Sequence, residues 1–435
     1  MLTPRHILEP RHFAGFHCIG ADCEDTCCDG WAVPVDRRAY EKYRNCSDPQ
    51  WRASFEKLIT IHPANATDQD YARIRLDSST CPFLSEGLCS IHKTLGEDYL
   101  PATCASFPRV WNIVDQVLEA SLDLGCPEAA RVALLDPEPM SLLEKPMDDR
   151  DLHWVSAGAM DTSLGADCGK PYRYFSPVRA FAVRLLQNRG LPLWKRLLIL
   201  GFFCDKLQEM GSGKDEPQIP DMIQAYDQAV SSGSFNATLD QFQPDLSLRI
   251  ETVMELIVAR ITSDFTNRRF LQSYKEFIDG LQWAADSNME QIVSRYSAAQ
   301  RQHCAPFLAG HGYMLEHFLV NRMYRSLFPL GPQESTSTLR VQHTQRSIHD
   351  EFMLMAVHYA IIETLLVGLA GFYKEAFAAE HVIRVVYTCT RTFEHSLTFS
   401  ERILQALQQK GINSVQGAAR LIKTETRGGN ALNPR

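Results

Sequence analysis

The chain has 435 residues, 45% of them hydrophobic and 22% charged, enough to bury a substantial core in two or three domains. A formal net charge of −8 gives no basic field for a phosphate backbone, which excludes a nucleic-acid binder and leaves small molecules and proteins as partners. The opening residues M-L-T-P-R-H-I-L-E-P-R-H-F build no apolar secretory run, so a cytoplasmic location is expected.

Thiols dominate the first 130 residues: nine of the thirteen cysteines lie there, four of them within the eleven residues C-I-G-A-D-C-E-D-T-C-C. Those four are Cys18, Cys23, Cys27 and Cys28. Three islands follow: Cys81-Pro-Phe-Leu-x4-Cys89-x2-His92, then Cys104-x2-Phe107-Pro108-Arg109, then Cys126-Pro127-Glu128. In a reducing compartment, clustered thiols point to metal binding or thiol chemistry rather than to disulfides. Tetrahedral zinc and iron–sulfur clusters each want about four sulfurs, so eight cysteines suffice for one or two sites. No paired C-x2-C knuckle occurs, and Cys23-x3-Cys27 supplies only half of a C-x3-C-x2-C cluster loop. The ligands are therefore expected to be gathered from distant islands. The remaining thiols, Cys46, Cys168, Cys204, Cys304 and Cys389, read as buried apolar side chains.

Among these islands, Asp36 to Lys57 reads as helical, Ala72 to Leu76 alternates like a short strand, and Val110 to Leu122 looks like a hairpin turning near Asp115 and Gln116. Residues 131–175, with Pro137, Pro139, Pro146 and Pro171, read as a connection between a cysteine-rich domain (1–130) and a helical body (176–435). The body should begin with Ser176 as N-cap before Pro177. Its helices are expected at about 192–210, 221–231, 245–263, 264–284, 286–300, 306–328, 346–373, 376–395, 398–410 and 414–423, with a polar tail from Thr424. The most apolar stretch, Phe352 to Tyr373, is interrupted by His358, Glu363 and Thr364, which favours a buried helix over a membrane span and leaves peripheral membrane contact open. The G-S-G-K run at 211–214 lacks the spacing of a P-loop, and no G-x-G-x-x-G follows a strand. The fold class is thus mainly α: a small cysteine-rich lobe with a short β-hairpin beside a larger all-helical body.

Polar groups on apolar helices are the candidates for chemistry, because burying charge is costly unless it is paired. Glu316, His317 and Asn321 share one helix, and Arg391, Glu394 and His395 close another. Structural pairing is the plainer account for each. Arg109 is placed to anchor a carboxylate or support the sulfur site, whereas His92 beside Cys89 reads as a neighbour rather than a ligand.

The islands C-I-G-A-D-C-E-D-T-C-C-D-G-W, C-P-F-L-S-E-G-L-C-S-I-H, T-C-A-S-F-P-R and G-C-P-E-A-A-R resemble the cysteine pattern of the bacterial flagellin lysine-N-methylase family, itself related to small zinc- or iron-chelating proteins. The likeness continues at N-R-G-L-P-L-W-K-R-L-L-I-L-G-F-F-C, L-E-H-F-L-V-N-R-M-Y-R-S-L-F-P and L-L-V-G-L-A-G-F-Y. The resemblance implies an S-adenosylmethionine-dependent methyltransferase that modifies surface lysines of flagellin in the cytosol before export. It also implies a 4Fe-4S cluster held by the cysteine motif, with Cys18, Cys23, Cys27, Cys28, Cys81, Cys89, Cys104 and Cys126 as the ligand pool. Glu316, Asn321, Arg391 and His395 are the expected catalytic groups and Arg109 the expected cofactor contact. A metal-binding or redox-sensing protein without catalysis is the alternative, and an oligomer is compatible with either.

Overall fold

A computed structural model describes residues 4–28, 33–61, 66–68, 70–77, 80–147, 156–163, 169–211, 215–263, 267–333, 346–395 and 397–424. Cys168, residues 212–214 of the G-S-G-K run and the tail from 425 lie outside them. Strands β1 (His6–Pro10), β2 (Pro34–Val35), β3 (Ile59–Ile61), β4 (Ala72–Ile74), β5 (Leu84–Ser85), β6 (Leu88–Cys89), β7 (Arg109–Val114), β8 (Val117–Leu122), β9 (Leu142–Pro146) and β10 (Ser156–Met160) form three sheets. Their orders are β10-β7-β8-β1-β9, β2-β4-β3 and β5-β6.

The hairpin forms where alternation places it: β7 and β8 pair antiparallel, with Val114 opposite Val117, and Asp115 takes φ 55° in the turn. The helical stretch 36–57 is instead two helices, Arg37–Arg44 and Pro49–Leu58. Asp48 accepts from the amides of Gln50 and Trp51, and Pro49 occupies the first helical turn, so a second start signal interrupts the first helix. Residues 131–175 are more than a connection. β9 adds antiparallel to β1 and β10 adds parallel to β7, so both edges of the main sheet come from that proline-marked stretch.

Two apolar cores result, and their division does not fall at residue 130. One gathers Tyr43, Phe55, Phe83, Ile91 and Leu100 inside the cysteine lobe. The other runs from Ile7, Trp111 and Leu118 of the main sheet into the helical body. The sheet joins the body because β8 is buried along nearly its whole length and lies against the helix Tyr313–Ser326.

The body is helical as expected, with helices Phe175–Leu186, Leu193–Met210, Ile219–Ser232, Leu246–Ile261, Arg268–Gly280, Met289–Ala299, Ile348–Tyr373, Ala379–Cys389, Leu397–Gln409 and Val415–Ile422. The first starts at Phe175 with Tyr174 at the cap and no side-chain cap bond, so Ser176 lies inside the first turn rather than capping it. The expected 306–328 helix divides into Ala305–His311 and Tyr313–Ser326, and wider π turns occupy Gln300–Cys304 and Thr390–Glu394. Ile348–Tyr373 is long and apolar enough to cross a membrane, but its apolar window is buried within the protein. It is the central core helix. Helix Arg268–Gly280 approaches it closely because Gly280 and Gly368 lack side chains; a Cβ on Gly280 would meet the Gly368 carbonyl at 2.0 Å.

Candidate active site

Backbone geometry draws the sulfur islands together. The Cys81 amide donates to the Cys28 carbonyl at 2.8 Å and the Leu84 amide to the Cys81 carbonyl at 3.0 Å, and hairpin β5–β6 sets Cys89 opposite Leu84. Asp36 accepts from the Ala102 amide at 2.7 Å, fixing the short helix that carries Cys104. Burial, then the neighbouring Cys27, Cys89 and Cys81 sulfurs, pushes the Cys104 thiol well up. Cys27 and Cys28 share a side-chain hydrogen bond that favours the Cys27 thiolate and raises Cys28, which also senses Cys104 and Cys81. Five sulfurs of three islands thus converge in the small lobe. Cys126 senses Cys23 in a second group and is pushed up to about 12, first by burial. Cys18 is exposed. The donor set suits a thiophilic metal in kind, although among the described residues no three His, Cys, Asp or Glu side chains are arranged to hold an ion. Cys46, Cys204, Cys304 and Cys389 are buried thiols.

Beside the second group lies a buried ionic network where sheet, cysteine loop and body meet. β8 ends at Leu122, and the next residue, Asp123, is nearly buried and donates its amide to the Pro108 carbonyl at 2.7 Å. Its carboxylate accepts from the Gly125 amide at 2.9 Å and from Arg325 at 3.2 Å, and faces His395 Nε2 at 3.0 and 3.1 Å. Arg325 reaches onward to Glu394 at 2.6 Å, which also pairs with Arg322 at 2.5 Å. Burial alone would raise Glu394; Arg322 and Arg325 outweigh it and bring the carboxyl down to about 2. His358 lies 3.8 Å from Glu394. Burial, helped by Arg322, lowers it to about 3 and keeps it neutral.

The π turn Thr390–Glu394 aims Arg391 at the cysteine loop. Its Nε donates to the Gly125 carbonyl at 2.5 Å and its Nη1 to the Thr26 carbonyl at 2.8 Å, with Asp25 at 3.1 Å. Arg131 pairs with Glu24 at 2.6 Å, and Arg269 donates to the Glu24 carbonyl at 2.9 Å. Residues 24–26, just ahead of Cys27 and Cys28, are therefore held by three arginines. π turns recur at functional sites, and this one carries buried polar atoms without a protein partner among the described residues, including Thr390 Oγ1, Thr392 Oγ1 and Arg391 Nη2, with Tyr387 OH just before it.

Of the residues singled out from sequence, Arg391 and His395 meet at Asp123–Gly125, and Asn321 joins from the neighbouring helix by donating to the Leu122 carbonyl at 2.8 Å. Glu316 does not join them. It is fully buried and clasped by Arg189 at 2.9 Å and Arg196 at 2.8 Å, a structural pairing. His317 is bound at Nδ1 to the Ala133 carbonyl at 3.0 Å. Arg109 stacks on Phe16 with 5.0 Å to the ring centre and donates to the Phe16 carbonyl at 3.4 Å, and His92 is exposed. Asp123, Arg322, Arg325 and the arginine grip on Glu24 were not singled out. Their one sequence signal is D-L-G-C at 123–126, a turn in which only a small residue fits between carboxylate and thiol.

The family model of the FliB lysine N-methylase C-terminal domain matches residues 179–421. Lysine-N-methylases of Salmonella typhimurium and Salmonella choleraesuis are 36% identical over 142 residues, 32% of this chain and 35% of each relative. The match therefore spans about a third of those relatives. A flagellar biosynthetic protein FliU of Salmonella muenchen is 36% identical over 142 residues, which cover 83% of its length. No solved structure matches. With more than half its length accounted for by that domain, the chain belongs to the FliB lysine N-methylase family.

Proposed function

We propose that this protein is a cytoplasmic protein-lysine N-methyltransferase that acts on flagellin with S-adenosylmethionine as methyl donor and depends on a 4Fe-4S cluster. The observation that carries this reading is the convergence of Cys27, Cys28, Cys81, Cys89 and Cys104, whose loop is clasped by Arg391 of the family's helical domain. Those five thiols are the pool that would hold the cluster, with Cys23, Cys126 and Cys18 outside it. When bound, the cluster would supply Lewis-acidic iron to the methyl donor.

The chain's own residues do the rest. Methyl transfer needs a neutral lysine nitrogen, in line with the methyl carbon and sulfur, and shielded from water. Among the described residues the buried hydroxyls of Tyr387, Thr390 and Thr392 have no protein partner, which leaves them free to bond water or a ligand that opens this turn. The acidic balance of the chain suits a lysine-bearing partner.

The test is an anaerobic incubation of the iron-loaded protein with flagellin and methyl-labelled S-adenosylmethionine, followed by hydrolysis of the flagellin. N-methyllysine carrying the label is expected, and its loss when iron is chelated. Label-free flagellin beside fully iron-loaded protein would refute the methyltransferase and favour a metal-binding or redox-sensing module.

A further inference from the structure

We propose that His395, oriented by Asp123, is the group that takes the proton from the incoming lysine ammonium; the inference rests on the methyltransferase reading and adds to it the residue that makes the amine nucleophilic. His395 Nε2 lies 3.0 and 3.1 Å from the two oxygens of the Asp123 carboxylate. A carboxylate accepts only, so Nε2 carries the hydrogen, and the lone pair is left on Nδ1. The imidazole side chain is 29% exposed while Asp123 is 1% exposed. One edge of the ring is fixed by a buried anion, and the rest is within reach of a partner arriving from solvent.

The surroundings hold this pair in place. Gly125 sits so tightly against it that a Cβ there would lie 3.0 Å from Asp123 Oδ1, 3.1 Å from Arg391 Cγ and 3.2 Å from His395 Cε1. Asp123 is further anchored by Arg325 and by the Gly125 amide, so its carboxylate cannot swing away. His395 follows directly on the π turn Thr390–Glu394. The charged groups near the ring are Asp123 from the end of β8, Arg391 and Glu394 from its own turn, and Arg325 from the neighbouring helix through Asp123, with Arg322 and His358 on the far side at Glu394. Asp25 of the cysteine loop lies behind Arg391. A base held by a buried carboxylate is the arrangement general-base catalysis requires.

The step balances. The lysine ammonium gives one proton to Nδ1 of His395, leaving a neutral amine and an imidazolium paired with Asp123. The amine lone pair forms the new nitrogen–carbon bond to the methyl group of the sulfonium donor. The carbon–sulfur pair remains on sulfur as a thioether, and the product is a methylammonium. His395 then returns its proton to solvent through its exposed edge.

The experiment measures methyl transfer to flagellin against pH for the iron-loaded wild type, His395→Asn and His395→Gly, the last with and without added imidazole. His395→Asn should lower the rate by about 100-fold or more and abolish the rise in rate that accompanies imidazole deprotonation. Imidazole should restore part of the His395→Gly rate, which a purely structural role would not allow. Circular dichroism and iron content should match wild type, because the side chain is partly exposed. If wild type transfers methyl groups and His395→Asn does so at the same rate with the same pH profile, the proton-acceptor role falls and the methyltransferase reading stands. If wild type itself transfers none, both fall.

Discussion

Two ionic clusters share the helix Tyr313–Ser326 and differ in kind. Near its start, Glu316 is sealed from solvent between Arg189 and Arg196, and its carboxylate accepts from both guanidinium groups. Toward its end, Arg322 and Arg325 reach Glu394 and Asp123, where a neutral His358, a partly exposed His395 and several polar atoms without a partner among the described residues gather. The first cluster reaches solvent only through Arg189, which also donates to the Pro137 carbonyl, and it fixes how the helices Phe175–Leu186 and Leu193–Met210 meet their neighbour. The second ends at a protein surface and at the cysteine loop. Buried charge alone therefore does not mark a site; contact with the cysteine loop and a partly exposed imidazole on a buried carboxylate set the second cluster apart.

Removing the carboxylate from either cluster should have the largest effect and separate them most clearly. Glu316→Ala leaves two arginines facing each other and should cost about 3–5 kcal/mol of stability, read by denaturant unfolding, while methyl transfer per folded molecule stays at the wild-type level. Glu394→Ala should destabilise by a similar amount, about 3–5 kcal/mol, and also depress transfer. Equal losses of transfer in both would erase the distinction.

Acid should act on the second cluster through His358 and Glu394. Both are depressed in the folded state, so both contribute stability at neutral pH that is lost on acidification: His358 from about 6.5 toward 3, and Glu394 from about 4.5 toward 2. At pH 5 the His358 share amounts to roughly 2 kcal/mol. His358→Leu should therefore flatten the fall in unfolding free energy between pH 7 and pH 5. An unchanged slope would mean that the imidazole is not held neutral.

Smaller effects probe the edge of the site. Gly125→Ala crowds Asp123, Arg391 and His395 at once and should cost about 1–3 kcal/mol with a lowered transfer rate. Arg391→Lys keeps the charge, but a single ammonium does not reproduce the guanidinium fork across Gly125 and Thr26. A loss of about 1 kcal/mol, with faster proteolysis near residues 24–28, is the expected result.

Much of the fold was legible because local signals agree with it. The alternation of Val110 to Leu122 and the helical periodicity after residue 190 survive in the structure nearly at the boundaries expected. What was not legible is long-range. Nothing local announces that β1 lies parallel to β8 or that residues 131–175 supply both sheet edges, since prolines at strand ends mask the pattern. The site was legible in part. Arg391, His395 and Asn321 stood out as polar groups on apolar helices, but so did Glu316, and only tertiary pairing tells them apart. Asp123 escaped notice as an ordinary residue at a strand end, and the π turn leaves no spacing signal that a 3.6-residue period reveals.

The most direct measurement is the intact mass of flagellin after anaerobic incubation with the iron-loaded protein and S-adenosylmethionine. Mass gained in methyl-group steps, and mapped to lysines, is the predicted result. Unchanged mass, with iron confirmed on the protein in the same sample, would contradict the account.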